Sequence, residues 1–278
     1  PKLAIVTGYN AKILCSCIFV TGLDKEYAEQ NDLGFSLLWL ATNRVDTSEK
    51  SVHSSVWGLQ RKTAIYRDGY GCTLLSGASA RQLRHDGGDI HTDYAPARWP
   101  NRQVEGGPAL RAALRSAFDT AENQAMRTRA VAVVKDGRLI GEAYADGFSR
   151  HTQLLGWSMT KSLTAALIGI LVHRGDIDLN DPLPIPEWKD DERSQITWAM
   201  ALHMESGLSW DEDYAGVSPA TIMLYEKPDM GAYAADQPPE AQPGTQWEYS
   251  SGTTNILARA IRTYFPSNSA YHLFPYQD

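Results

Sequence analysis

Ten consecutive residues from Leu163 to Val172 carry no charge, and they follow Leu155-Gly156-Trp157-Ser158-Met159-Thr160-Lys161-Ser162 without a turn signal. A run of that length without strict alternation reads as a helix, and it is apolar on too many sides for a surface element. The helix is therefore predicted to be buried, with its polar first turn at the floor of a cleft. Ser158 and Lys161 are three residues apart, so on a helix their side chains share a face and can meet. His173-Arg174-Gly175 supplies the stop, basic residues in the last turn and then a glycine. A serine hydroxyl is a poor nucleophile until a base takes its proton. An amine can do so when burial or a neighbouring cation lowers its pKa, and Lys161 in an apolar helix is predicted to meet that condition. By chance alone a chain of this length holds about one Ser-x-x-Lys. The structural alternative is a capping serine beside a snorkelling lysine.

The rest of the composition narrows the partners. The 278 residues have a formal charge of −7, with no basic run longer than two residues, which argues against nucleic acid or an anionic membrane surface. The acidic clusters Asp190-Asp191-Glu192 and Asp211-Glu212-Asp213 read as open, solvated faces. The longest strongly apolar run, Ala165 to Val172, falls well short of the roughly 20 residues of a spanning helix, so no membrane span is predicted. The chain begins at Pro1, which fits a removed initiator Met, a cleaved signal peptide or an internal boundary. Cys15, Cys17 and Cys72 lack zinc spacing and read as buried thiols. A disulfide from Cys72 to Cys15 or Cys17 is the alternative, and it would indicate an oxidising compartment.

Taken in order, Leu3 to Thr7 and Ile13 to Val20 look β-rich around a Gly-Tyr-Asn turn, and Leu37 to Leu40 and Lys62 to Tyr66 read as further short strands. Ser76 to Gly107 reads as a long surface loop. Its His85, His91, Asp86, Asp89 and Asp93 match no standard ligand set, so neither a metal nor an organic cofactor is expected. Pro108 to Met126 has the stripe of an amphipathic helix, and Ala130 to Val134 pairs with Leu139 to Tyr144 across an Asp-Gly turn. Helix, hairpin, then helix is an α+β order. Thr197 to Met204 is a short helix with Thr197 or Gln195 as its cap. Gly216 to Pro239 is loop-rich around a helical piece, Pro219 to Tyr225, and is a candidate cleft wall. A Pro-Gly turn at Pro243-Gly244 leads through Tyr249-Ser250-Ser251 into a helix from Thr253 to Tyr264.

Tyr249 adds the third chemical element, because a phenol near a lysine cation ionises more readily and can shuttle a proton. The order Ser-x-x-Lys, then roughly ninety residues, then Tyr-x-Ser resembles the serine β-lactamase and penicillin-binding-protein superfamily, for which the Ser-x-x-Lys motif is established. Within it, the chain is similar to the class C β-lactamase-like branch with its esterases and 6-aminohexanoate-dimer hydrolase-like amidases. The likeness runs from Pro108 to Tyr264. It includes the hairpin, Ser158 to Lys161, Gly175-Asp176-Ile177-Asp178-Leu179-Asn180-Asp181-Pro182, Leu202 to Leu208, and Pro243 to Ser251.

The resemblance implies a β-lactamase/transpeptidase-like α+β fold, an antiparallel sheet flanked by helices plus an all-helical subdomain. Residues 108-278 would form the hydrolase domain and residues 1-107 an N-terminal extension. It further implies Ser158 as acyl-forming nucleophile with its own backbone N–H as an oxyanion donor, Lys161 as activator, and Tyr249 as general base and then acid. Ser251 stands where the family commonly has Asn, which shortens a polar arm toward substrate and favours esters or simple amides over β-lactams. Trp157 and Trp247 are expected to flank the substrate, and with Trp210, Tyr214 and Tyr225 to line an apolar pocket or else to pack a core. The family's third motif, Lys-Thr-Gly or a His-x-Gly variant on a late strand, does not follow Tyr249. The expectation is a chain lacking its last strands, a second polypeptide or missing segment that completes the sheet, or lost catalysis. A small ester, amide or peptide-like molecule is the expected partner. A D,D-peptidase and a non-catalytic binding module are the alternatives. The resemblance favours a periplasmic or secreted location over a cytoplasmic one.

Overall fold

A computed structural model describes residues 1–86, 107–120 and 126–277. The chain divides into two compact units, one formed by Pro1–His91 with Leu155–Asp278 and the other by Thr92–Leu154.

The first unit opens with helix α1 (Lys2–Ser16), prolonged by a π-helical turn at Cys17–Thr21 and stopped at Gly22, whose φ is 84°. Helix α2 (Lys25–Asp32) follows, capped by Asp24, whose carboxylate accepts the Tyr27 N–H at 2.8 Å. A meander of β1 (Thr42–Asp46), β2 (Ser51–Val56), β3 (Leu59–Arg67) and β4 (Gly71–Leu74) forms an antiparallel sheet in sequential order. Helix α1 lies across β2 and β3, and Ala11, Leu14, Cys15, Val52, Val56, Ala64 and Cys72 form a buried core between them. A disulfide joins Cys15 of α1 to Cys72 of β4, while Cys17 is buried outside it.

These residues correct the sequence expectation in several respects, the disulfide among them, since Cys15 and Cys72 read from sequence as free buried thiols. Leu3 to Thr7 and Ile13 to Val20 are helical, not strands, because short apolar runs fit either state and tertiary packing decides. The presumed turn residues serve the helix. Gly8 lets α1 approach Tyr225, whose Cβ would lie 2.8 Å from a Cβ at that position, and Asn10 donates to the carbonyls of Val6 at 2.9 Å and Leu38 at 3.2 Å. Leu38–Leu40 is a 3-10 turn, whereas Lys62 to Tyr66 does lie in β3. Finally, Lys2–Thr21 is a continuous 20-residue apolar helix, long enough to cross a membrane, although 61% of it is buried. Helix α3 (Ala80–Asp86) begins the stretch expected to be a loop. His91, Asp89 and Asp93 lie outside the described residues, and no group of metal-ligating side chains occurs among those described.

The second unit contains α4 (Pro108–Ser116) and a hairpin of β5 (Ala130–Lys135) with β6 (Arg138–Tyr144). Asp136 and Gly137 both have positive φ, 51° and 73°, as a two-residue primed turn requires. Leu110 and Leu114 of α4 press on Gly141 of β6, the face that the helical stripe predicted. The helix stops ten residues short of Met126, near Asp119, whose carboxylate takes the N–H groups of Met126 and Arg127 at 2.7 and 2.8 Å.

The first unit resumes with α5 (Met159–Arg174), closed by Gly175 at φ 81° with Asp176 N–H bonded to Leu171 O. Then come α6 (Trp198–Leu202) capped by Thr197, α7 (Pro219–Glu226) with a Ser218/Thr221 capping box, α8 (Met230–Ala235), α9 (Ser251–Arg262) capped by Ser250, and α10 (Asn268–Gln277). Ile168, Leu171, Trp188, Ile196, Trp198, Met223, Ile256, Ile261 and Phe274 form their shared core. Helix α5 is not buried all round. Only Thr164, Ile168 and Leu171 are buried, while Met159 and Leu163 are 72% and 56% exposed. Its i, i+4, i+7 pattern meets the helical core on one face alone.

Candidate active site

Ser158 occupies the residue before the first turn of α5, and its side chain does not cap the helix. Trp157 just before it has φ 44°, a left-handed conformation unusual for a bulky residue. Three tight bonds follow, Met159 N–H to Gly156 O, Thr160 N–H to Trp157 O and Lys161 N–H to Ser158 O, at 3.0, 3.1 and 3.1 Å. The chain thus enters the helix through a sharp bend that leaves the Ser158 hydroxyl exposed and uncommitted to backbone.

Lys161 is the hub. Its Nζ donates to Ser158 Oγ at 3.0 Å and to Ser251 Oγ at 2.9 Å, and it stands 4.7 Å over the Tyr249 ring. Tyr249 precedes α9, and its phenol lies close to Ser158 and Lys161, both of which favour its ionised form. The Ser158 bond is the largest influence on that phenol. With the Lys161 bond and charge it outweighs burial and the negative charge of Glu212, so the Tyr249 pKa falls below its ordinary value of 10.0.

Ser251 begins α9 and is 9% exposed. While accepting from Lys161, its hydroxyl donates to Glu212 Oε1, and its backbone N–H donates to Glu212 Oε2 at 2.9 Å. Tyr214 and Trp210 donate to the same carboxylate, and the Tyr214 hydroxyl is also 3.2 Å from Ser251 Oγ. Burial pushes the Glu212 carboxyl up, but the bonds from Ser251, Tyr214 and Trp210 together hold its pKa below the usual value. Hydrogen bonds therefore run without a break from Glu212 through Ser251 and Lys161 to Ser158. Burial and the Glu212 bond raise the Tyr214 phenol to about 12, which keeps it a donor.

The five polar groups come from three separate stretches, the start of α5, the segment before α7 and the start of α9. The structure brings Ser158, Lys161, Tyr249 and Ser251 together. Ser251 is packed between Lys161 and Glu212, so its hydroxyl is already committed on both sides. Trp157 and Trp247 remain 53% and 64% exposed. The first stacks on Tyr9 with centroids 6.2 Å apart, and the second tilts against Tyr249 at 6.5 Å. Trp210 is buried against Gly252.

Glu212 is the residue that sequence reasoning missed. Asp211 and Asp213 are indeed exposed, yet the Glu between them turns inward, so the cluster is not a uniformly solvated face. The available signal was alternation. In an extended segment Trp210, Glu212 and Tyr214 point to one side, and two of those three are aromatic.

The family model described as Beta-lactamase matches residues 111–269, more than half of the chain. Among solved structures, a Bacillus anthracis protein named, provisionally, a 6-aminohexanoate-dimer hydrolase is similar at 22% identity with a TM-score of 0.46. That similarity covers 59% of this chain and spans 45% of the length of that one. No curated protein matches.

Proposed function

Because the chain belongs to the Beta-lactamase family, we propose that it is a serine hydrolase that cleaves a carboxylic ester or simple amide through an acyl-enzyme on Ser158. The observation that carries this reading is Lys161 Nζ, 3.0 Å from Ser158 Oγ and 2.9 Å from Ser251 Oγ, beside a phenol whose pKa is lowered.

In the proposed reaction Ser158 Oγ attacks the carbonyl carbon while its proton passes to the ionised Tyr249 oxygen. Lys161 stabilises that phenolate by charge and hydrogen bond. The Ser158 backbone N–H, at the open first turn of α5, donates to the negative charge developing on the carbonyl oxygen. Tyr249 then returns the proton to the leaving alcohol or amine as the carbon–heteroatom bond breaks. In the second half a water molecule gives its proton to Tyr249 and attacks the acyl carbon, and Ser158 leaves with that proton. Ser251 and Glu212 hold Lys161 in place, and the exposed Trp157 and Trp247 flank the substrate.

The commitment of Ser251 to Lys161 and Glu212 supports esters and simple amides, since it leaves no free arm at that position to meet a β-lactam side chain. A periplasmic or secreted location is supported by the Cys15–Cys72 disulfide. The apolar residues exposed on α5 support a further stretch of polypeptide, from this chain or another, lying over that face. Hydrolysis of p-nitrophenyl acetate by the full-length protein tests the reading. Ser158→Ala and Lys161→Ala should each lose about 10³-fold or more in kcat. Equal rates in wild type and Ser158→Ala, with both folded, would refute it.

A further inference from the structure

Beside the catalytic cluster, and within the same compact unit, lies an open groove between the start of α1, the 3-10 turn after α2 and the segment leading into α7. Its walls include Ile5, Tyr9, Phe35, Leu37, Tyr214 and Tyr225, with Lys2, Ser36 and Thr221 adding polar atoms. Phe35 and Leu37 remain 48% and 45% exposed, which keeps the mouth apolar.

Two wall residues tie this cavity to the reacting groups. Tyr9 stacks on Trp157, the residue directly before Ser158, and also meets Phe35 edge-on at 5.9 Å and Tyr225 at 5.5 Å. Tyr214 bonds to Glu212 and lies 3.2 Å from Ser251 Oγ, so its ring forms the wall and its hydroxyl faces the relay. The close approach that Gly8 allows between α1 and Tyr225 holds the wall contributed by α1 in place. The groove and the catalytic cluster thus share Tyr214 as a bordering residue, and Trp157 beside Ser158 packs on the wall residue Tyr9.

We propose that this groove receives an unbranched apolar arm of the substrate, so that the N-terminal segment of the chain sets substrate specificity. The proposal rests on the serine hydrolase reading above. The chemistry that favours such an arm is plain. Most of the wall is aliphatic or aromatic surface, and the phenols of Tyr9, Tyr214 and Tyr225 are kept uncharged by burial, so a methylene chain gains apolar contact there without burying an ionised phenol. Each methylene that becomes buried should raise kcat/KM by roughly fourfold until the groove is filled.

The arm can belong to the acyl or to the leaving group, and two substrate series separate them. The first is p-nitrophenyl esters of straight-chain acids from about two to about ten carbons, each methylene adding roughly 0.8 kcal/mol of burial while it fits. The second is acetate esters of straight-chain alcohols over the same span. Wild-type protein is expected to show kcat/KM climbing at least tenfold from the shortest to the best member of one series, which identifies the side. Leu37→Asp and Phe35→Ser, both at the exposed mouth, are expected to cut the long-to-short ratio in that series at least fivefold. The ratio is internal to each protein, so a smaller folded fraction does not affect it. A flat dependence in both series, or a ratio unchanged in both variants, overturns the groove while leaving the hydrolase reading intact. Absence of hydrolysis throughout, with no labelling of Ser158 by a fluorophosphonate, overturns both.

Discussion

Lys161 has two hydroxyl acceptors, Ser158 and Ser251, and only the second is anchored to a carboxylate. Ser251→Ala should therefore lower kcat of ester hydrolysis by about 10- to 100-fold, with Ser251→Thr recovering part of it, because a lysine without its anchor samples unproductive rotamers. Wild type and both variants compared under saturating substrate check this. The pH dependence follows from Tyr249. As a base it must be ionised, and its pKa lies below the ordinary 10.0, so the rate should rise with pH through a midpoint below that value. The negative charge of Glu212 holds the phenol up, so Glu212→Gln should move the limb to lower pH while reducing its height. A limb that stays in place, measured as kcat/KM from neutral to alkaline pH, would show that Tyr249 is not the titrating group. Glu212 also links stability to pH. Its folded pKa is depressed, so its contribution is present above the unfolded carboxylate value and fades as pH falls through the folded one. Ser158, Lys161 and Tyr249 were legible because two of them share a helix turn and the third follows a Pro-Gly turn. Glu212 was hidden because its neighbours Asp211 and Asp213 are solvated, and a charge run looks the same whichever member points inward.

Elements position these residues through close contacts that only glycine permits. A Cβ on Gly252, in the first turn of α9, would sit 2.5 Å from the Trp210 ring, the same ring whose N–H bonds Glu212. Gly252→Ala should cost about 1–3 kcal/mol of stability by overpacking. It should also lower activity more than a remote substitution of equal cost, read by chemical denaturation alongside kcat. Helix α9 and the hairpin of β5 and β6 were legible from turn chemistry, since Pro-Gly and Asp-Gly act locally. Helix α1 was not. Its Gly8 and Asn10 look like turn residues, and their helical use depends on Tyr225 and Leu38, far away in sequence. The exposure of α5 was equally hidden, because an apolar run does not state how many of its sides are covered.

The whole molecule draws its N-terminal segment and its candidate site residues into one compact unit, with α1 set against both the four-stranded sheet and α7. The Cys15–Cys72 disulfide closes a separation of 57 residues within that segment. Loop-closure entropy assigns such a bridge about 4 kcal/mol. Reduction, or Cys72→Ser, should lower the thermal midpoint clearly, and an unchanged midpoint under reductant would contradict the bridge. The pairing was not legible, because Cys15 and Cys17 are equivalent on spacing alone and only the helical turn of α1 separates them. The account stands or falls on Ser158 as the acylated residue. Intact-protein and peptide mass spectrometry after treatment with an activated ester or a fluorophosphonate tests that directly. The expected result is one adduct, on the peptide containing Ser158 and absent in Ser158→Ala. A folded wild-type protein that carries no adduct, or carries it elsewhere, would contradict the account.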